Sequence, residues 1–97
     1  MAIELRPFEA EKYFTTAEDQ AELLADAIES GDAGYLAHAL GIVAKARGMS
    51  NLAQATGVRR QALYRALSKA GNPTLDTLIK VLSALDLQLK IEPKTAA

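Results

Sequence analysis

The sequence contains no cysteine and a single histidine, His38. The first absence excludes disulfides and thiolate metal sites, and one imidazole cannot by itself build a zinc or iron centre. No cofactor is expected. Aromatic residues make up only 5% of the chain, so burial must come from the Ala and Leu that dominate an apolar share of 49%. That balance favours helix packing over a sheet sandwich. No window approaches the roughly 20 apolar residues that a membrane-spanning helix needs. The first twelve residues, MAIELRPFEAEK, lack the basic start and apolar run of a secretory leader. The expectation is a cytoplasmic protein that is neither exported nor embedded. There is no internal repeat, no low-complexity tract and no glycine-rich phosphate loop. A carboxylate pair in a pocket-forming fold and a Ser/His/Asp set on a nucleophile turn are missing as well, so catalysis is not expected. His38, with no cysteine or adjacent carboxylate, reads as an ordinary helix residue.

Acidic residues are also missing where it matters most. Between Asp32 and Asp76 there is no Asp or Glu, while Lys45, Arg47, Arg59, Arg60, Arg65 and Lys69 supply six positive charges. The formal net charge of −1 therefore hides a polarised chain. Residues 1–46 hold nine acids against three bases, a balance of −6, and residues 47–97 hold eight bases against three acids, a balance of +5. A face that only meets water mixes both signs, whereas one that meets phosphates excludes carboxylates. The acidic half can stay clear of nucleic acid or face a basic partner protein.

Within the basic half, MSNLAQATGVRRQALYRALS, Met49 to Ser68, has the spacings of two short helices joined by a tight turn. Ser50 is expected to cap a first helix over Asn51 to Thr56, and Gly57 follows where the stop requires a positive φ. Val58, Leu63 and Ala66 or Leu67 give the next helix an inner face, which leaves Arg59, Arg60, Gln61, Tyr64 and Arg65 outward. Ala53 lets the two helices approach, with Leu52, Val58 and Leu63 in the wedge. An ordinary helical hairpin with a solvated face would also fit these spacings. The one-signed charge argues against it and for a helix-turn-helix.

At 97 residues the chain is expected to be one domain, 1–97. Its parts are an acidic strand and helix extension at 1–32, a helix-turn-helix core at 33–85 and a C-terminal strand at 86–92. Ile3 and Leu5 alternate with Glu4 and Arg6 up to Pro7, which suggests a short strand. Phe8, Tyr13 and Phe14 are expected to anchor the irregular stretch that follows. Thr15 and Thr16 precede Glu18 and Asp19 in a capping-box arrangement that opens a helix with Ala21, Leu23, Leu24, Ala27 and Ile28 inward. Gly31 ends it, and Asp32 caps the next helix, about Ala33 to Arg47, closed by Gly48. Residues 69–73 form a loop, and Thr74 caps a last helix with Leu75, Leu78, Ile79, Leu82 and Leu85 inward. Leu87, Leu89 and Ile91 alternate with polar residues as far as Pro93, a second strand. Each strand needs a partner, either the other one or its copy across a two-fold axis.

With these residues in view, Met49 to Leu85 resembles the Xre or lambda-repressor-like helix-turn-helix domain. The likeness rests on Ala53, Gly57-Val58, Leu63 and Asn72-Pro73-Thr74-Leu75 leading into the last helix. Leu40 to Ile91 is similar to the small addiction-module antidote proteins, HigA-like antitoxins, through ARGMSNLAQATGVRRQALYRALS, GNPTLDTLIKVLSALDL and LQLKIE in that order. The lead-in FTTAEDQAELLADAIESGD is similar to theirs too. Asp86 stands where repressor domains often have Gly. The resemblance implies a mainly α, five-helix lambda-repressor-like DNA-binding domain with short terminal β-strands. It also implies a repressor-antitoxin whose partner is a ribonuclease-like toxin of the RelE/ParE superfold.

The function expected from residues and resemblance together is an antitoxin of a type II module that binds double-stranded DNA at an inverted-repeat operator as a homodimer. A stand-alone Xre-type regulator and a pure protein-interaction module are the alternatives. Arg59, Arg60, Gln61 and Arg65 are the expected base and phosphate contacts, with Arg59 or Arg60 to guanine and Gln61 to adenine. Ser50, Asn51 and Thr56 before them, and Ser68, Lys69 and Asn72 after them, are expected to grip phosphates. Tyr64 either packs on the sugar-phosphate backbone or completes the core.

Overall fold

Where each helix starts and stops is decided by a few capping residues, visible in a computed structural model that describes residues 9–94. A single 3-10 turn, Ala10–Lys12, precedes helix α1, Ala17–Glu29. Thr16 caps α1 by accepting from the Asp19 amide at 3.1 Å. Helix α2, Ala33–Arg47, opens on Asp32, whose carboxylate accepts from the amides of Gly34 and Tyr35. Helix α3, Met49–Thr56, follows after Gly48 alone and stops at Gly57, whose φ of 74° only glycine adopts without strain. Helix α4 covers Arg60–Ala66, and α5 covers Leu75–Ala84 behind the Thr74 cap. Asp86 takes the left-handed position after α5, with φ 59°. The amide of Leu87 reaches back to Leu82 O and that of Asp86 to Ser83 O, which closes the last turn.

The five helices share one core. Leu40 and Val43 of α2, Leu63 of α4, and Val81 and Leu85 at α5 are fully buried, with Leu24, Met49, Leu52 and Leu67 around them. Helix α1 packs on α2, α3 bridges α2, α4 and α5, and the 3-10 turn lies against α2. Small residues set the spacing, because a Cβ at Gly41 of α2 would collide with the Leu67 carbonyl oxygen at the end of α4. The Tyr35 hydroxyl donates to Asp26 Oδ2 at 2.6 Å and ties α2 to α1. That hydrogen bond, with desolvation second, holds the phenol pKa above its ordinary value.

Several expectations need correction. Ser50 does not cap α3. With Gly48 at φ 104° the chain turns directly from α2 into α3, so the helix begins at Met49 and Ser50 lies exposed inside its first turn. Ala21 and Ile28 of α1 are exposed, while Gln20 is buried in their stead. In α5 the covered stripe is Leu78, Val81, Leu82 and Leu85, whereas Leu75 and Ile79 are 78% and 66% exposed. They flank that stripe on a face that the described residues leave open. No strand occurs among the described residues, and 87–92 carries no ladder because a strand exists only with a partner. Ile3 to Arg6 and Phe8 lie outside the described residues. None of the described helices is long and apolar enough to cross a membrane.

Candidate nucleic-acid interface

The turn between α3 and α4 presents the basic side chains. After the left-handed Gly57, Val58 is half-buried and its amide donates to the Thr56 hydroxyl at 3.2 Å. Arg59 is the extended N-cap of α4, which places Arg60 and Gln61 in the first helical turn. Leu63 points into the core, so residues one and two positions either side of it must point away. Arg59, Arg60, Gln61, Tyr64 and Arg65 are all exposed.

Arg60 and Tyr64, one turn apart, order each other. The guanidinium carbon lies 5.0 Å from the Tyr64 ring centroid, and Nη2 donates to the phenol oxygen at 3.3 Å. Such stacking at an exposed site is worth about 0.5–1 kcal/mol. It also holds the guanidinium in place on a helix of only two turns. Tyr64 therefore belongs to the surface and not to the core.

An open groove of about 440 Å³ runs between the start of α3 and α4, lined by Ser50, Asn51, Arg60 and Tyr64 together with Lys45 and Glu11. Ser50 and Asn51 are exposed there, on the first turn of a helix whose N-terminal amides have no side-chain cap. A helix start of this kind, next to Lys45 and Arg60, favours anions. Four of the eleven expected site residues thus line one groove. Arg59, Gln61 and Arg65 are exposed beside it.

The remaining expected residues differ. Thr56 is only 8% exposed, and its hydroxyl donates to Leu52 O at 2.8 Å and accepts from the Val58 amide. Its oxygen is spent on the turn, so it is unavailable to a phosphate. Ser68 is half-buried and donates to Arg65 O at 2.9 Å, which terminates α4. Lys69 is exposed but lines a different hollow, with Asp32, Tyr35 and His38 at the start of α2. Asn72 is exposed in the loop before α5.

Two participants escaped sequence reasoning as members of the site. Lys45 counted towards the basic charge, yet only the fold brings it to the groove. Glu11 had no local signal at all, because it reaches the groove through the packing of its 3-10 turn on α2. Arg47 is partly withdrawn from the basic face, since its Nε donates to Gln20 Oε1 at 2.9 Å. Among the described residues no cluster of His, Cys, Asp or Glu could hold a metal ion.

Comparison with known proteins agrees with the earlier resemblance at the level of the family. A family model described as probable addiction module antidote protein matches residues 4–93. An uncharacterised protein of Haemophilus influenzae is 36% identical over 92 residues, which cover 95% of this chain and 95% of that protein. No solved structure matches. With nearly its whole length matched, the chain belongs to the family of probable addiction module antidote proteins.

Proposed function

We propose that this protein is a sequence-specific DNA-binding antitoxin that represses its own operon in the cytoplasm and neutralises a toxin of the RelE/ParE superfold. Membership of the antidote family supports the antitoxin role and, with it, a toxin partner. The observation that carries DNA binding is the arrangement at Gly57. A left-handed turn joins two short helices and leaves Arg59, Arg60, Gln61 and Arg65 exposed together on the second.

On this reading α2 to α5 form a lambda-repressor-like helix-turn-helix, and α4 enters the major groove. Arg59 or Arg60 contacts guanine and Gln61 contacts adenine, each good bidentate pair contributing about 1–3 kcal/mol of discrimination. Ser50, Asn51, Lys69 and Asn72 bond to phosphates, whereas Ser68 gives its one hydroxyl proton to Arg65 O, and Tyr64 lies along the backbone while holding Arg60. Thr56 is left out of this set because its hydroxyl is buried and bonded.

One α4 reads too few base pairs to select a site in a genome, so the active form is a homodimer on an inverted repeat. Leu75 and Ile79 of α5, and Leu89 and Ile91 after it, are the exposed apolar side chains that support a contact between copies. The exposed acids of α1, Glu18, Asp19, Glu22, Asp26 and Glu29, offer a surface of opposite sign to a basic toxin.

Co-expression with the adjacent reading frame, followed by affinity capture and retardation of the upstream DNA, tests both halves. The expected result is a small basic protein retained with this chain and a shifted upstream duplex. DNA retardation without a retained partner would instead favour a stand-alone regulator, and retention without DNA binding a pure interaction module.

A further inference from the structure

The stretch from Asp32 to Asp76 is free of acids in sequence, but the face it builds is not free of acids in space. Glu11 lines the same groove as Lys45, Ser50, Asn51, Arg60 and Tyr64. It is half-buried on a 3-10 turn packed against α2. The turn's other acid, Glu9, is paired with Lys12 at 2.7 Å. Glu11 lines the groove and forms no ion pair among the described residues, although, after the Glu9 hydrogen bond, its charge helps to raise the pKa of the neighbouring Lys12.

The segment is held there and not merely resting. The Gln20 side-chain amide donates to Phe14 O at 2.9 Å, and Gln20 in turn accepts from Arg47. Gln20 is 2% exposed, and the two bonds that link the lead-in, α1 and the end of α2 are part-buried. The fold thus places Glu11 on a surface otherwise suited to phosphate.

We propose that Glu11 is a further residue of the nucleic-acid interface, one that lowers affinity by repelling the phosphate nearest Lys45 and Arg60. The inference rests on the DNA-binding reading above. A fixed carboxylate opposes a phosphate on any duplex, so its effect is independent of base sequence. Its consequence is a weaker hold on every duplex, which shortens the time spent on non-target DNA and leaves the ratio of operator to non-target affinity unchanged.

The test uses the full chain, with fluorescence anisotropy on two labelled duplexes, the DNA upstream of its own gene and a scrambled sequence. Glu11→Gln keeps the size of the side chain and removes the charge, and Glu22→Gln on the exposed face of α1 is the control for net charge. Circular dichroism checks that both variants retain the helical fold. Glu11→Gln should tighten binding to both duplexes by roughly three- to tenfold at low salt, fading as salt screens the repulsion, while Glu22→Gln changes it by less than about twofold. Unchanged or weaker binding by Glu11→Gln, a gain on one duplex only, or an equal gain by Glu22→Gln would overturn the assignment to Glu11 alone. Failure of the parent and both variants to bind either duplex would overturn the nucleic-acid reading beneath it.

Discussion

Arg47, the last residue of α2, donates through Nε to the Oε1 of Gln20 on α1 at 2.9 Å, and the same Gln20 donates to the Phe14 carbonyl oxygen. One buried amide thereby fastens three segments: the lead-in, the first helix and the end of the helix that leads into α3. We predict that Gln20→Leu, which preserves volume but leaves the Phe14 carbonyl and Arg47 without their partner, lowers stability by about 1–3 kcal/mol. Urea unfolding followed by circular dichroism measures it. A variant as stable as the parent would mean that water replaces both bonds at no cost.

Asp86 supplies a prediction of the opposite sign. Its φ of 59° places a β-substituted residue where glycine is strain-free, at the C-terminal turn of α5. Asp86→Gly should therefore raise stability by about 0.5–1 kcal/mol, the penalty of the left-handed conformation less the extra entropy of an unfolded glycine. An equal or lower unfolding midpoint would show that the Asp86 side chain contributes more than its backbone costs.

The helix boundaries were legible because their signals are local. Thr16, Asp32, Gly48, Gly57 and Thr74 sit where the structure turns, and each acts within four residues of itself. Ser50 failed as a cap because that reading presupposed a loop after Gly48, whereas α2 and α3 share this one residue as a corner. Periodicity correctly identified α5 as amphipathic, but it cannot say how wide a stripe a neighbour covers. Leu75 and Ile79 were placed inward for that reason. The outward set on α4 was readable from Val58, Leu63 and Ala66 or Leu67 taken together, whereas Arg59 and Arg60, four and three residues before Leu63, are exposed where the helix begins. Glu11 was not readable, because no sequence rule brings a 3-10 turn near the N-terminus to the groove beside Lys45 and Arg60.

The exposed α5 face gives a prediction about assembly. Leu75→Asp with Ile79→Asp should shift the protein from dimer to monomer in light scattering at tens of micromolar and weaken operator binding with it, while helicity is retained. Truncation after Leu85 separates the two possible contacts. If the truncated chain remains dimeric, α5 carries the interface, and if it becomes monomeric, Leu87 to Ile91 carries it. A full-length chain that is monomeric at that concentration would contradict the dimer.

Base reading and phosphate gripping should be separable by mutation. Arg60→Ala or Gln61→Ala should relax discrimination at one base position and cost about 1–3 kcal/mol on the operator, because both residues lie in the first turn of α4. Lys69→Ala, beyond the end of α4, should weaken all sequences about equally. A competition assay over single-base operator variants distinguishes the two patterns. A change of sequence preference with Lys69→Ala but not with Gln61→Ala would require α4 to dock differently.

The most direct test of DNA binding by this face is the salt dependence of affinity for the upstream DNA. Lys45, Arg59, Arg60, Arg65 and Lys69 are exposed, whereas Arg47 is engaged with Gln20. If each of the five displaces a counterion from a phosphate, a plot of log K against log salt should fall with a slope of roughly −4.5 per protomer. Each Lys or Arg removed should make that slope shallower by about one. A slope near zero, with the upstream duplex still bound, would contradict the account, because binding would then owe nothing to the exposed basic side chains on and around α4.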